Sequence, residues 1–474
     1  MAILTATPAA SAATPGATPE GDWLRFGYDP ARSGVNPAET TLTPGNVAGL
    51  HQLWRAHLPE VADSSPAFLH ALPFPDGSTH DVLYVETRDG RLVALDAAEG
   101  TILWQRQPKG PKITNSSPVA DAARRVVYAY GLDGALHQYQ AATGQEISGN
   151  GWPVPITKLT GTEKESSAPN AAFGLLYVTT SGYLGDAPPY QGHVVAIDPA
   201  SGAAQVFNSL CADKTALLGK DDCDAQRSGI WARAGAVADP VNPSIYVSTG
   251  NGPFDPAKHN WGDTVLRLSV DGTKVLDSYT PSDYQTLDER DVDLGSTAPA
   301  LLPRLPGSKT PLLLVQGGKD GLLRLLNRAD MSGQGGPGHV GGELQAIESA
   351  GCATFTQPVV WSASDGTVWL IVAGTCALAG YQVVTDQAGA TTLELGWKSG
   401  DIGTTPVLAN GVLYLATSGA LLALDPATGK HLWSSAETQP RQTIGSLHWE
   451  SPIVVDGRVY IADEQGGLSA YGLG

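Results

Sequence analysis

Methionine is almost missing from this 474-residue chain, which has two, and basic residues are scarce. Lysine and arginine together number 29 against 47 aspartates and glutamates, a formal charge of −18. That excess repels phosphate backbones and anionic headgroups, so nucleic acid and membrane surfaces are disfavoured as partners. It attracts cations, including calcium with its preference for hard oxygen ligands. No run of about eighteen apolar residues occurs, so no segment reads as a membrane-spanning helix. The four cysteines, Cys211, Cys223, Cys352 and Cys376, form no C-x-x-C pair. A zinc ribbon or thioredoxin-like centre is therefore not expected. Neighbour pairing, Cys211 with Cys223 and Cys352 with Cys376, suits an exported protein, although spacing alone leaves the pairing open. HExxH, GxSxG and EF-hand spacings are also missing, which leaves hydrolase chemistry without a motif. The stretch Gly333 to Gly338 matches GxGxxG in form only, because no strand–helix setting surrounds it.

What the chain does have is glycine (56) and proline (34), together about a fifth of its residues. That balance suits many short strands joined by turns. The first twenty residues are Ala/Thr/Pro-rich and read as a disordered tether, leaving 21–474 as the folded unit. Within that unit a segment recurs: GRLVALD (90–96), HVVAID (193–198) and GALLALD (419–425). Looser copies are GALHQY (134–139), GLLRLLN (321–327) and GLSAY (467–471). A Thr-Gly or Glu-Gly turn and a strand ending in Trp104 or Trp433 follow. Each unit opens on a small residue and proline, at Pro66, Pro118, Pro169, Pro299, Pro358, Pro406 and Pro452. The gap from Pro169 to Pro299 is two units long, and Gly235-Ala236-Val237 supplies the start that lacks its proline. The count is eight units of four antiparallel strands, which predicts an all-β, eight-bladed β-propeller. Asp-Gly at 89–90, 133–134 and 320–321 suits its tight turns. Residues about 50–58, with Leu53-Trp54, are expected to complete the last blade, while Trp23, Phe26 and Tyr28 pack the N-terminal segment against the ring.

The repeat GxLxALDxxTGxxxW resembles that of the PQQ-type (quinoprotein alcohol dehydrogenase-like) propellers, a family that also contains non-catalytic outer-membrane assembly scaffolds. The resemblance runs from Asp22 onward and implies the fold more strongly than any chemistry. In 229–255 it implies Trp231 beneath a quinone and Asn251, in Thr-Gly-Asn, as a Ca²⁺ ligand. In 279–296 it implies Asp293 as catalytic base and metal ligand, with Asp291 and Asp283 as other matches. It implies Lys319 as a basic residue on the quinone and Ser166, Ser167 and Ser181 as hydroxyls contacting the cofactor. Asp293 lies in an acidic run, 288–293, that reads as a loop leading into a strand over 294–300. Glu450, with His448 and Trp449, is expected to line the funnel.

Three family features are missing. Tyr183-Leu184 stand where a Glu ligand should follow Ser181-Gly182, with Asp186 just beyond. Ser116 replaces an Arg in the second unit, and no adjacent-cysteine pair exists. No haem-attachment C-x-x-C-H is present either, so electrons would leave to a separate carrier. Two readings follow from the resemblance. One is a PQQ- and Ca²⁺-dependent oxidoreductase for an alcohol or sugar hydroxyl in the periplasm or outside the cell. The other is a non-catalytic propeller whose rim or funnel binds a protein or glycan.

Overall fold

The computed structural model describes residues 21–107, 110, 113–123, 125–183 and 187–474. The tether expected over 1–20 lies outside the described residues.

Proline cannot donate to a strand ladder, and here it marks where each ladder begins. Strands start at Ala67, Val119, Asn170, Ala300, Val359, Val407 and Ile453, each one residue after its proline. The unit without a proline starts at Val237. Eight antiparallel four-stranded blades result, and the chain folds as an eight-bladed β-propeller. Blades 1 to 7 span 67–106, 119–155, 170–208, 237–279, 300–348, 359–399 and 407–434. Blade 8 takes three strands from 453–472 and its outermost strand, His51–His57, from the other end of the chain. Glu163–Glu165 adds an extra antiparallel strand beside blade 3, pairing Lys164 with Ser181.

Neighbouring blades are joined by a repeated contact. The Trp104 ring of blade 1 lies over the Gly144 turn of blade 2, where a Cβ would come within 2.4 Å of it. Its indole N–H donates to Ala141 O at 3.0 Å. Trp54 does the same over Gly100, donating to Ala97 O at 3.2 Å, and Trp397 over Gly429, donating to Pro426 O at 3.0 Å. The turns are held by the repeat's aspartate: Asp96 Oδ1 accepts from the Ala98 and Glu99 N–H groups, and Asp425 Oδ1 from Ala427 and Thr428. Gly100, Gly144 and Gly429 have φ between +64° and +73°, a region open to glycine at little cost.

The N-terminal segment crosses one end of the central channel. Its backbone carbonyls accept from innermost strands in turn: Leu24 O from Ala120, Pro30 O from Ala238, Ser33 O from Val360 and Gly34 O from Leu408. Arg32, fully buried, donates to Ala234 O, Ala168 O and Pro169 O. Trp23 and Phe26 are fully buried against the blades and Tyr28 nearly so. This strap closes the end formed by the C-termini of the innermost strands. The cysteines pair as neighbours, Cys211–Cys223 and Cys352–Cys376. Among the described residues no helix is long and apolar enough to cross a membrane.

Trp104→Ala removes one blade-to-blade contact and is expected to cost about 3–5 kcal/mol. A lower urea midpoint with an unchanged m-value would register it. An unchanged midpoint would mean that the indole–glycine contact carries little of the ring's stability.

Candidate functional site

At the end of the channel opposite the strap, segments leading into the innermost strands surround a cavity of about 300 Å³. Trp231, Asp293, Lys319 and Ser181 all line it. The Trp231 indole N–H donates to Asp293 Oδ2 at 2.8 Å. Lys319 Nζ lies 2.5 Å from Asp293 Oδ1, 3.0 Å from Asp291 Oδ1 and 5.2 Å from the Trp231 ring centroid. One carboxylate therefore fixes both the aromatic wall and the cation beside it. Trp231 also meets Phe355 and Trp449 at 6.1 and 6.4 Å, and those two stand 6.2 Å apart, a three-ring wall.

Close backbone approach makes this geometry. A Cβ at Gly250 would fall 2.6 Å from Asp293 Oδ2, and one at Gly229 would fall 2.0 Å from Ser181 Oγ. Asp293 is 1% exposed. Burial pushes its carboxyl above the ordinary value, with Lys319 and Trp231 working the other way. Burial also works against the Lys319 charge, but Asp293 and Asp291 outweigh it and hold the amine above its usual value.

Several expectations need correction. The acidic run is not a solvated loop: Tyr284–Arg290 is a helix capped by Asp291 in the left-handed region, and the chain then turns inward. No strand covers 294–300. Leu294–Ser296 is a 3-10 turn, tied by its Leu294 N–H to Asp263 Oδ1, and strand pairing resumes at Ala300. Ser167 does not reach the cavity. It is fully buried with its hydroxyl bonded to Thr179, while Ser166 lines the wall, because successive side chains of an extended segment point opposite ways. Similarly, Asn115 rather than Ser116 faces the space. Asn251 is buried behind the wall and donates to Asp291 Oδ1 at 3.3 Å. Of the His448–Glu450 group, Trp449 lines the cavity, His448 bonds Asp63 Oδ2 at 2.8 Å, and Glu450 is fully buried, its carboxyl pushed up to about 8 by burial.

Two cations escaped the sequence reading. Lys164 and Arg233 both line the cavity although they are 6% and 3% exposed. Their signals were weak but present. Arg233 stands two residues after Trp231 in the segment before blade 4, and Lys164 alternates with Glu163 and Glu165.

The expected cofactors were a quinone and Ca²⁺. A planar, anionic group fits: Trp231 gives a flat face, and three cations line the space. A Ca²⁺ ion, which takes about six to eight oxygens, is less well served. Among the described residues the implied ligands are Asn251 and Asp293, and Lys319 already sits on Asp293 Oδ1. Where a carboxylate was expected, Tyr183 has a phenol whose oxygen accepts from the Ile113 N–H at 2.7 Å. Asp186 lies outside the described residues.

The sequence profile for "Glucose/ethanol/alcohol dehydrogenase, beta-propeller domain" matches residues 23–330, and that for "Outer membrane protein assembly factor BamB" matches 360–473. The chain belongs to the PQQ-type propeller family. It is 25% identical over 364 residues to the quinohemoprotein alcohol dehydrogenase ADH IIB of Pseudomonas putida, covering 72% of this chain and 49% of that protein. It is 24% identical over 510 residues to ADH-IIG of the same organism, covering 94% and 68%. The chain thus spans about half the length of the first of these curated relatives. In fold it is similar to the solved ADHIIG structure from P. putida HK5, with TM-score 0.67, 16% identity, and coverage of 98% and 83%. A europium-containing methanol dehydrogenase gives TM-score 0.67 at 17% identity, covering 96% and 98%. These likenesses concern the fold alone. In this PQQ-type propeller an aromatic, a carboxylate and a lysine stand together in one cavity.

Between blades 1 and 2, burial pushes the Glu86 carboxyl up from its ordinary 4.5 to about 8, against the pull of the Tyr130 N–H, Thr114 and Arg233. Between those values the folded state holds a proton that the unfolded chain has released, so this group's contribution lowers stability as pH rises from 4.5 to about 8. Glu86→Gln should flatten that slope and raise the urea midpoint at pH 8 relative to wild type. Equal slopes in the two proteins would contradict a buried, protonated Glu86.

Proposed function

We propose that this propeller is a PQQ-dependent dehydrogenase that oxidises an alcohol or sugar hydroxyl. The observation that carries the reading is the ion pair of Asp293 with Lys319, locked to the Trp231 indole within one axial cavity. Trp231 would stack beneath the cofactor and Ser181 would contact its edge. Ser166, which lines the cavity, would make a further contact, and Ser167 would not. PQQ, when bound, supplies the two-electron acceptor for the substrate's hydride. Asp293 takes the proton from the substrate hydroxyl as the C–H bond breaks. Lys319 favours the ionised form of that carboxylate and would offset negative charge developing on a bound cofactor. Phe355 and Trp449 exclude water from that side. The oxidised product is a carbonyl compound, and the two electrons leave to a separate carrier. Two local disulfides support an exported location.

The calcium expected from the resemblance has too few described oxygen donors here for any step to run through it. Titrating the protein with PQQ in EDTA and in Ca²⁺ separates the cases. Equal affinity in both supports Lys319 as the resident cation. Loss in EDTA that Ca²⁺ restores, and that Asn251→Ala abolishes, assigns Asn251 and Asp293 as ligands.

A dye-linked alcohol-oxidation assay tests the base. Asp293→Asn should lower kcat by at least about a hundredfold. In wild type the acid limb of kcat/KM should lie above the ordinary carboxylate value, because the base must be ionised and burial raises its pKa. Full activity in Asp293→Asn would remove Asp293 from the chemistry.

The scaffold reading draws on the BamB match over 360–473. No binding at high micromolar PQQ would favour it, with the rim as the place to seek a protein or glycan partner.

A further inference from the structure

The cavity contains more positive charge than the chemistry above uses. Lys319 is answered by Asp293 and Asp291. Lys164 and Arg233 feel the attraction of the buried Asp63 carboxylate, but among the described residues that carboxylate is held by His448, the Trp449 N–H and Arg88 and contacts neither of them. Lys164 Nζ donates to the neutral Asn115 Oδ1 at 3.0 Å and stands 5.7 Å from the Tyr183 ring centroid. Arg233 donates to three main-chain carbonyls, those of Ser166, Asp63 and Asn115, and its guanidinium stands 5.7 Å from the Trp449 ring centroid. Among the described residues its Nε has no hydrogen-bond partner. Neither side chain makes an ion pair among the described residues.

Of the acids near Arg233, Asp63 is held below its ordinary value and offsets part of the two positive charges, whereas Glu86 and Glu165 do not. Burial pushes the carboxyls of Glu86 and Glu165 up, which favours their neutral forms. Lys164 shows the resulting strain: burial, and then the Arg233 charge, push its amine down to about 8. Buried charges ordinarily have counter-charges. These two come from separate elements, the strand Glu163–Glu165 and the segment before blade 4, yet they border one open space. Asn115 links them, accepting from Lys164 on its side chain and from Arg233 on its main chain.

We infer that Lys164 and Arg233, linked through Asn115, form a carboxylate-binding subsite of the axial cavity. Two charge-assisted donors converging on one carboxylate form a strong and directional grip. The subsite supplies from blades 3 and 4 the positive charge that the resemblance led one to expect on blade 2, where Ser116 stands. Its ligand is a carboxylate on the cofactor or one on the substrate. The cofactor case rests on the quinone reading; the subsite itself does not.

The probes are PQQ and benzene-1,3,5-tricarboxylate, a planar triacid with no quinone, followed by quenching of the cavity tryptophans. Lys164→Gln should weaken the triacid by about tenfold or more, the loss expected for one charge-assisted bond, and Lys164→Arg should restore it. If PQQ affinity falls in parallel and the two probes compete, the carboxylate is the cofactor's. If PQQ affinity holds and the triacid binds PQQ-saturated protein through Lys164, the carboxylate is the substrate's. Triacid binding through Lys164 with no PQQ binding keeps the subsite and overturns the quinone reading. Equal affinities for wild type and Lys164→Gln with both probes overturn the subsite and leave the quinone reading standing. Should Lys164→Gln not fold, wild type decides. The triacid should raise its Tm at low salt while the uncharged 1,3,5-benzenetrimethanol does not, and no difference between the two overturns the subsite.

Discussion

An indole resting on a neighbouring blade's glycine turn is the contact on which this structure depends. Each blade is a four-stranded sheet too small to bury both of its faces alone, so its stability comes from the blades on either side. The Trp–Gly seats at 104/144, 54/100 and 397/429 set the distance and rotation between neighbours. The Trp54 seat also involves the strand that closes the ring, so one contact serves packing and closure together. The strap beneath the channel holds several innermost strands through main-chain hydrogen bonds, and Arg32 ties it to the blade 3–4 junction.

Regular blades leave little room for chemistry, because repeated positions are occupied with packing. The cavity is built largely from the segments that run into the innermost strands, with Ser181 and Lys319 added from the inner hairpins of blades 3 and 5. Trp231, Arg233, Asp293 and Trp449 all lie just ahead of Val237, Ala300 or Ile453. The rigid ring brings these segments to one axis from far apart in sequence, and glycines at 229 and 250 let backbone approach side chain closely enough to close the site. The electrostatics follow from that enclosure. Low exposure raises acids, lowers Lys164, and makes each remaining charge depend on a partner.

The blade count and the closing strand were legible in the chain, because each rests on a short-range signal: proline stops a ladder and Asp-x-x-x-Gly makes a turn. Cysteine spacing favoured neighbour pairing but left it open, and the structure decided it. Trp231, Asp293 and Lys319 could be picked out by motif, but not their mutual contacts. Ser166 and Ser167 were both expected at the cofactor and only Ser166 lines the cavity, since alternation is readable only once strand phase is known. The helix at 284–290 was hidden by an acidic run that fits a loop equally well.

By itself, then, the sequence determined an eight-bladed propeller and the segments that meet at its axis, since local turn and strand chemistry repeats about every fifty residues. Only the tertiary structure decided which side chains share the cavity and which charges there lack partners. Lys164 and Arg233 are sixty-nine positions apart in sequence, and their common partner, Asn115, belongs to a third segment. Burial and charge balance are properties of the assembled ring, and no single stretch of chain contains them.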